Sequence, residues 1–340
     1  MCEAAYSAIR AGETRYTHSM GLPRLRQAIA DSYNRKFNLE LDPGQVIVTS
    51  GTSPALLLLF MGLLNQGDEV IMSNPYYASY PNFVEYLGGK PVYVYTREDE
   101  GFSLIPDAVA RVLTAKTHAI LVNSPSNPTG HVMYPETMHA LAELAGSVPI
   151  ISDEIYQGLV YKGEDHTILE YTDNAFVLNG FSKLYAMTGW RLGYLIAPPG
   201  YMRTLQNLQQ HFFICANSFV QHAGIAALEG PQDHVKEMVA TYDERRKFII
   251  GRLKHIGFGI ASEPAGAYYI LANAKEYNPD SLELSRHILE DAGVAVTPGI
   301  DFGEGAQGYL RFSYANSIEN IVVGLDRMDN LLNEQKSNKV

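Results

Sequence analysis

Short apolar runs alternate with segments of helical periodicity through the first two thirds of the chain. Gln45-Val46-Ile47-Val48-Thr49, Glu69-Val70-Ile71-Met72, Pro91–Tyr95, Ala119-Ile120-Leu121-Val122, Val148-Pro149-Ile150-Ile151, Ala175–Leu178 and Leu192–Ile196 are predicted strands. Helices are predicted over Ser53–Leu64, near Tyr77–Leu87 and over Pro135–Ala145. The strand runs barely alternate apolar with polar residues, as strands do when both faces of their sheet are covered. This rhythm predicts an open, mainly parallel α/β sheet with helices packed on it.

After Gly230-Pro231 the texture changes. A long helix rich in Glu, Lys and Arg is predicted over about Gln232–His255. Strands over Tyr268–Leu271, Val294–Val296 and Tyr309–Ser313 then alternate with helices near Ser281–Asp291 and Ser317–Asn333. We expect a large domain over 12–230 and a smaller α+β domain over 231–340, bridged by the long helix.

Composition narrows the function classes. A chain of 340 residues with 46% hydrophobic content can bury a large core and carry a second domain. Its net charge is −11 and no basic cluster stands out, so neither nucleic acid nor an anionic membrane is an expected partner. Pro54–Leu64 is the longest apolar stretch and is too short to span a bilayer. The two cysteines, Cys2 and Cys215, fit a reducing, cytoplasmic setting. The histidines show no close metal-ligand spacing, and no metal is expected. Phosphate-binding P-loop, zinc-protease and nucleophile-elbow motifs are absent.

The chemistry concentrates in a few segments. Lys183 ends Asn179-Gly180-Phe181-Ser182-Lys183, a tight turn of small residues. Such a lysine is poorly placed as a solvated charge and well placed to carry an aldehyde as a Schiff base. Asp153 closes the apolar run that starts at Val148, so it lies at the carboxyl end of a strand, where open α/β sheets bind ligands. Taken alone, it reads equally as a helix N-cap. Ser50-Gly51-Thr52-Ser53-Pro54 joins a strand to a helix, and helix N-termini favour phosphate. Arg191, in Gly189-Trp190-Arg191-Leu192-Gly193, has the planar donors that pair two oxygens of an anion.

In chain order, Asn123-Ser124-Pro125-Ser126-Asn127-Pro128-Thr129-Gly130, Ser152-Asp153-Glu154-Ile155-Tyr156 and Ser182-Lys183 with Arg191 resemble the fold-type I pyridoxal-phosphate enzymes. The likeness is to the class I and II aminotransferases, of the aspartate aminotransferase kind, and runs from about Gly12 to Asn316. It implies the PLP-transferase-like fold, a large three-layer domain with a smaller C-terminal one, and pyridoxal 5'-phosphate as cofactor. Amino acids and 2-oxo acids are the implied substrates. Lys183 is then the covalent anchor and proton shuttle, and Asp153 the partner of the pyridine nitrogen. Asn127 and Tyr156 contact the phenolic oxygen, and Asn127 also borders the substrate. Tyr77 covers the ring. Gly51, Thr52, Ser53, Ser182 and Arg191 cradle the phosphate, and Arg311 in Tyr309-Leu310-Arg311-Phe312-Ser313 grips the substrate carboxylate. Tyr16 resembles the tyrosine that reaches the neighbouring subunit's phosphate, which implies a homodimer with shared sites.

Two departures bear on activity. Residues 1–11 resemble the last part of an N-terminal segment that family members usually carry, which includes a loop over the substrate carboxylate. Some relatives also hold a lysine for a distal carboxylate where Ser53 stands, which disfavours a dedicated aspartate enzyme. The expected reaction is transamination. A β-lyase of the C–S lyase type shares the same cofactor residues, and a catalytically impaired PLP-fold protein is the third expectation.

Overall fold

The computed structural model describes residues 1–337. Seven strands, β1 (Val46–Thr49), β2 (Glu69–Asn74), β3 (Lys90–Tyr95), β4 (Thr117–Asn123), β5 (Ile150–Asp153), β6 (Ala175–Gly180) and β7 (Gly193–Ile196), form one sheet. Its order is β1-β7-β6-β5-β4-β2-β3. From β3 through β6 the neighbours run parallel, and β7 lies antiparallel to β6 and β1. Every residue of β1, β5, β6 and β7 is buried, which explains why their sequences lack alternation.

The two faces still separate cleanly. Val46, Val48, Ile120, Val122, Ile150 and Val177 pack on one side, against α1 (Cys2–Arg10), α2 (Pro23–Phe37), α5 (Pro106–Ala110), α6 (Pro135–Ala145) and α8 (Ser218–Glu229). Ile47, Val70, Ala119, Leu121, Ile151 and Phe176 pack on the other, against α3 (Thr52–Leu63), α4 (Ser79–Tyr86) and α7 (Met202–Phe212). Successive side chains therefore enter different apolar layers, and the product is a three-layer α/β body.

The second sheet is small. Antiparallel strands β8 (Tyr269–Asn273), β10 (Tyr309–Ser313) and β9 (Thr297–Pro298) lie in the order β8-β10-β9. Ile270, Ala272, Leu310 and Phe312 bury one face against α9 (Asp233–Ile256), α10 (Ser281–Ala292) and α11 (Ile318–Ser337). Leu271 and Tyr309 leave the other face, toward the seven-stranded body, and meet Phe102 from the chain after β3. Asp280 caps α10, its carboxylate accepting from the backbone N–H of Leu282 at 3.0 Å and of Glu283 at 3.2 Å.

One expected strand is displaced. Val294–Val296 has no ladder partner, and pairing starts only at Thr297–Pro298, against Arg311 and Leu310. Val294 and Val296 instead pack their side chains on the apolar cluster under β8 and β10. Their β-branched character therefore marked packing rather than a strand. Among the described residues no helix is long and apolar enough to cross a membrane.

Candidate active site

The carboxyl ends of the parallel strands stop at one level. Asn123 of β4 stands opposite Asp153 of β5, and Asp153 opposite Leu178 of β6. Because β7 is antiparallel, it starts where the others finish: Gly193 faces both Gly180 and Thr49. Residues just after β1, β2, β4, β5 and β6, and just before β7, thus converge at one rim, where open α/β sheets bind ligands.

They surround a cavity of about 350 Å³. Thr52, Ser53, Tyr77, Asn127, Asp153, Tyr156, Ser182, Lys183, Arg191 and Arg311, all singled out in the sequence, line it. Its charged lining is three cations and one carboxylate, an unusual balance in a chain of net charge −11. Among the described residues, Lys183, Arg191 and Arg311 form no salt bridge with any carboxylate. Unneutralised cations converging on a cavity call for an anionic ligand.

Asp153 is the counterweight. It is 7% exposed; its Oδ2 accepts from the Tyr80 hydroxyl at 2.7 Å and its Oδ1 from the Ile155 N–H at 3.1 Å. No helix follows, so the carboxylate is not a helix cap. Burial pushes its pKa up, against these two hydrogen bonds and the nearby Lys183 charge, which favour the ionised form. A cationic group entering beside it would complete that compensation.

The opposite wall is an anion cradle. Gly51 has φ +101°, and a Cβ there would lie 2.5 Å from the Arg191 guanidinium, so only glycine lets Arg191 settle against this turn. Arg191 itself takes φ +52° and donates to the Thr188 carbonyl at 3.1 Å. No side chain caps the start of α3, which leaves its first amides to an incoming anion.

Arg311 closes the cavity from the small sheet. It donates to Asn127 Oδ1 at 2.8 Å and to Thr297 Oγ1 at 3.2 Å, while its Nε is buried without a partner among the described residues. Its guanidinium carbon lies 4.3 Å from the Tyr269 ring centre and 4.6 Å from that of Phe302. Two aromatic faces thus orient the guanidinium without neutralising it. The Tyr269 hydroxyl is 2.9 Å from that of Tyr156, and the Lys183 Nζ lies 5.5 Å from the Tyr156 ring centre. Among the described residues that amine makes no hydrogen bond.

Tyr77 enters the cavity, whereas its neighbour Tyr76 stacks on Tyr93 with ring centres 5.3 Å apart. Trp190 packs against the apolar layer under α8 and does not line the cavity. Tyr16 stands apart, 82% exposed. Sequence reasoning missed Tyr80, Asn123, Tyr269, Thr297 and Phe302. Asn123 carried a signal, as the first residue of a motif already noticed. It clamps that motif, donating to the Asp153 carbonyl and accepting from the Asn127 N–H, both at 2.8 Å. A larger cavity of about 670 Å³ lies between Thr129–Pro135 and Ala261–Ala265, but its Lys162 is paired with Glu263 and it gathers no unpaired cations.

Comparisons with known proteins agree with this architecture. The family model for aminotransferase class I and II matches residues 3–327. A (5-formylfuran-3-yl)methyl phosphate transaminase of Methanocaldococcus jannaschii is 38% identical over 332 residues, covering 96% of this chain and 86% of that protein. An aspartate aminotransferase of Geobacillus stearothermophilus is 38% identical over 338 residues, with 96% and 86% covered. Among solved structures, an aromatic aminotransferase from Pyrococcus horikoshii OT3 superposes with a TM-score of 0.95 at 35% identity, covering 98% of this chain and 92% of that one.

Proposed function

The chain belongs to the class I and II aminotransferases, and we propose that it moves an amino group from an L-amino acid to a 2-oxo acid with pyridoxal 5'-phosphate anchored at Lys183. The observation that carries this reading is the cavity itself: two arginines without ionic partners among the described residues and one buried carboxylate around the Lys183 side chain. The residues fit the cofactor's parts one by one. Asp153 suits a protonated pyridine nitrogen, because burial leaves its charge short of compensation. Gly51, Thr52, Ser53, Ser182 and Arg191 suit the phosphate, Tyr77 the ring face, and Asn127 with Tyr156 the phenolic oxygen. When bound, pyridoxal phosphate supplies a protonated ring that accepts the electron pair left as the substrate's α-hydrogen departs.

The chain's own residues do the rest. Arg311 holds the substrate carboxylate with paired donors, which fixes the direction of the Cα–H bond. Lys183 Nζ takes the α-hydrogen as a proton and would deliver it to the cofactor's C4′ carbon, not back to the α-carbon. Asp153 keeps its negative charge beside the ring throughout. The relatives named above are transaminases, which supports transfer over β-elimination. Their substrates differ, and among the described residues no fourth cation lines the cavity for a distal carboxylate, which favours neutral or aromatic amino acids. The reading includes two domains, over 12–230 and 231–340, and a cytoplasmic homodimer. In that dimer the exposed Tyr16 would complete the partner's phosphate site.

An absorbance titration tests the reading. Purified protein with pyridoxal phosphate should show a protein-bound visible band that is absent in Lys183→Ala. Adding L-phenylalanine or L-alanine should convert that band, and L-aspartate should do so more weakly. A band that no donor converts would reject transamination, and no lysine-dependent band would reject the cofactor site.

A further inference from the structure

The carboxylate of Glu98 joins the two sheets. It sits in a short turn, Glu98–Glu100, after β3, and among the described residues its three hydrogen bonds come from the small-sheet side. Oε1 accepts from the Ala261 N–H at 2.9 Å. Oε2 accepts from Asn273 Nδ2 at 3.2 Å and from the Tyr309 hydroxyl at 2.9 Å. Its neighbours Arg97 and Asp99 pair with each other at 2.6 Å in solvent, so within this turn the hydrogen bonds to the small sheet come from Glu98.

The grip falls at a telling place. Tyr309 and Asn273 are direct partners across β10 and β8, so one carboxylate holds both strands at one rung. Arg311 lies two residues along β10, on the same face as Tyr309. Phe102, four residues after Glu98, sets its ring edge-on to Tyr309 with centres 6.1 Å apart. It joins a small apolar cluster with Leu271, Tyr309 and Phe302. Phe302 is the ring behind the Arg311 guanidinium, and its carbonyl accepts from the Tyr76 N–H at 3.0 Å.

We propose that Glu98 is a positioning residue, the clasp that holds the small sheet at the spacing where Arg311 meets the substrate carboxylate. The inference rests on the carboxylate role of Arg311 given above. Glu98 touches no part of the cavity, so it acts only through Tyr309, Phe302 and β10. Releasing the clasp lowers the fraction of molecules in which Arg311 is in place. Apparent affinity falls with that fraction, while a saturating substrate restores it.

The test uses the full-length holoenzyme and whichever of L-phenylalanine and L-alanine reacts faster with the wild type. For Glu98→Ala we expect the half-saturating donor concentration to rise about ten-fold, with the maximal rate within about two-fold and cofactor affinity unchanged. Tyr309→Phe should act in the same direction, and the double variant should fall short of the combined losses because both remove one contact. An equal fall in maximal rate with unchanged half-saturation, or fully additive losses, would overturn the clasp. Hydrogen exchange reads the same point without turnover: Glu98→Ala should speed exchange at the amides of Ala261 and Tyr76. Unchanged protection at Tyr76 means that Phe302 is not held by Glu98, whatever the activity shows. Should Glu98→Ala fail to fold, Tyr309→Phe carries both measurements. A wild type that no donor converts counts against the transaminase reading, and the exchange data still decide the clasp.

Discussion

Asp153 and Arg311 face one cavity but are held there in different ways. Asp153 ends a central strand with ladder partners on both sides, Asn123 and Leu178, and lies under Tyr80. Moving it means moving the seven-stranded sheet. Arg311 comes from a three-stranded sheet whose third member is two residues long, and its bonds to Asn127 and Thr297 are side chain to side chain. The difference matches the two tasks proposed for them, a charge beside the cofactor ring and a grip on the substrate carboxylate. A charge that must stabilise the same ring in every turnover gains from rigid preorganisation. A group that must admit and release substrate gains from a mount that can shift slightly.

Substitutions should separate the halves. Asp153→Asn keeps the shape and removes the charge, so we expect kcat to fall on the order of a thousandfold with KM little changed, because the charge serves the transition state. A variant with wild-type kcat would break the comparison at its stiffer side. Arg311→Leu should cost less, about a hundredfold in kcat/KM and mostly through KM, while the cofactor band remains. Arg311→Lys should recover only part of the loss, since an ammonium cannot pair two carboxylate oxygens in plane. If Arg311→Leu also released the cofactor, the two halves would not be separable.

The same contrast explains what was legible in the sequence. Asn127, Asp153, Tyr156, Ser182, Lys183 and Arg191 lie in short contiguous motifs next to apolar runs. Locating the strands therefore located these side chains at the sheet rim. The contacts that tune them are nonlocal. Tyr80 reaches Asp153 across 73 residues, and Arg311 reaches Asn127 across 184. Tyr269 and Phe302 sit in stretches that read equally well as plain core. Which face of β8 or β10 points at the cavity depends on docking between two bodies, which no local period encodes. Val294–Val296 shows the opposite error: its β-branched residues reflect packing beneath the sheet, not a place in it.

The smallest effect on the chemistry should come from the residue after Asp153. Glu154 points away from the cavity into the core and is fully buried, receiving hydrogen bonds from Ser152, Gln157, Thr167 and the Ile168 N–H at 2.9 to 3.0 Å. Two of these donors, the Thr167 hydroxyl and the Ile168 N–H, tie the end of β5 to the 167–168 turn behind it, which adds to the fixed mounting of Asp153. Burial outweighs all four donors and pushes the Glu154 pKa up to about 8, against 4.5 for a free side chain. The folded protein thus keeps a proton that the unfolded chain releases near pH 4.5. The stability linked to it is complete below that pH and is lost as pH rises through about 8. Glu154→Gln has no such proton, so the stability difference between wild type and variant, from denaturant unfolding, should move against the wild type by a few kcal/mol, on the order set by linkage, between pH 5 and pH 8.5. At pH 7 the variant's kcat should stay within about two-fold, because the Gln carbonyl still accepts from Ser152, Thr167 and the Ile168 N–H, and only the bond from Gln157 is lost. Parallel pH profiles would mean that Glu154 stays ionised in the fold. Its four donors would then outweigh its burial, and the stiffness behind Asp153 would rest on a charge rather than on a buried neutral acid.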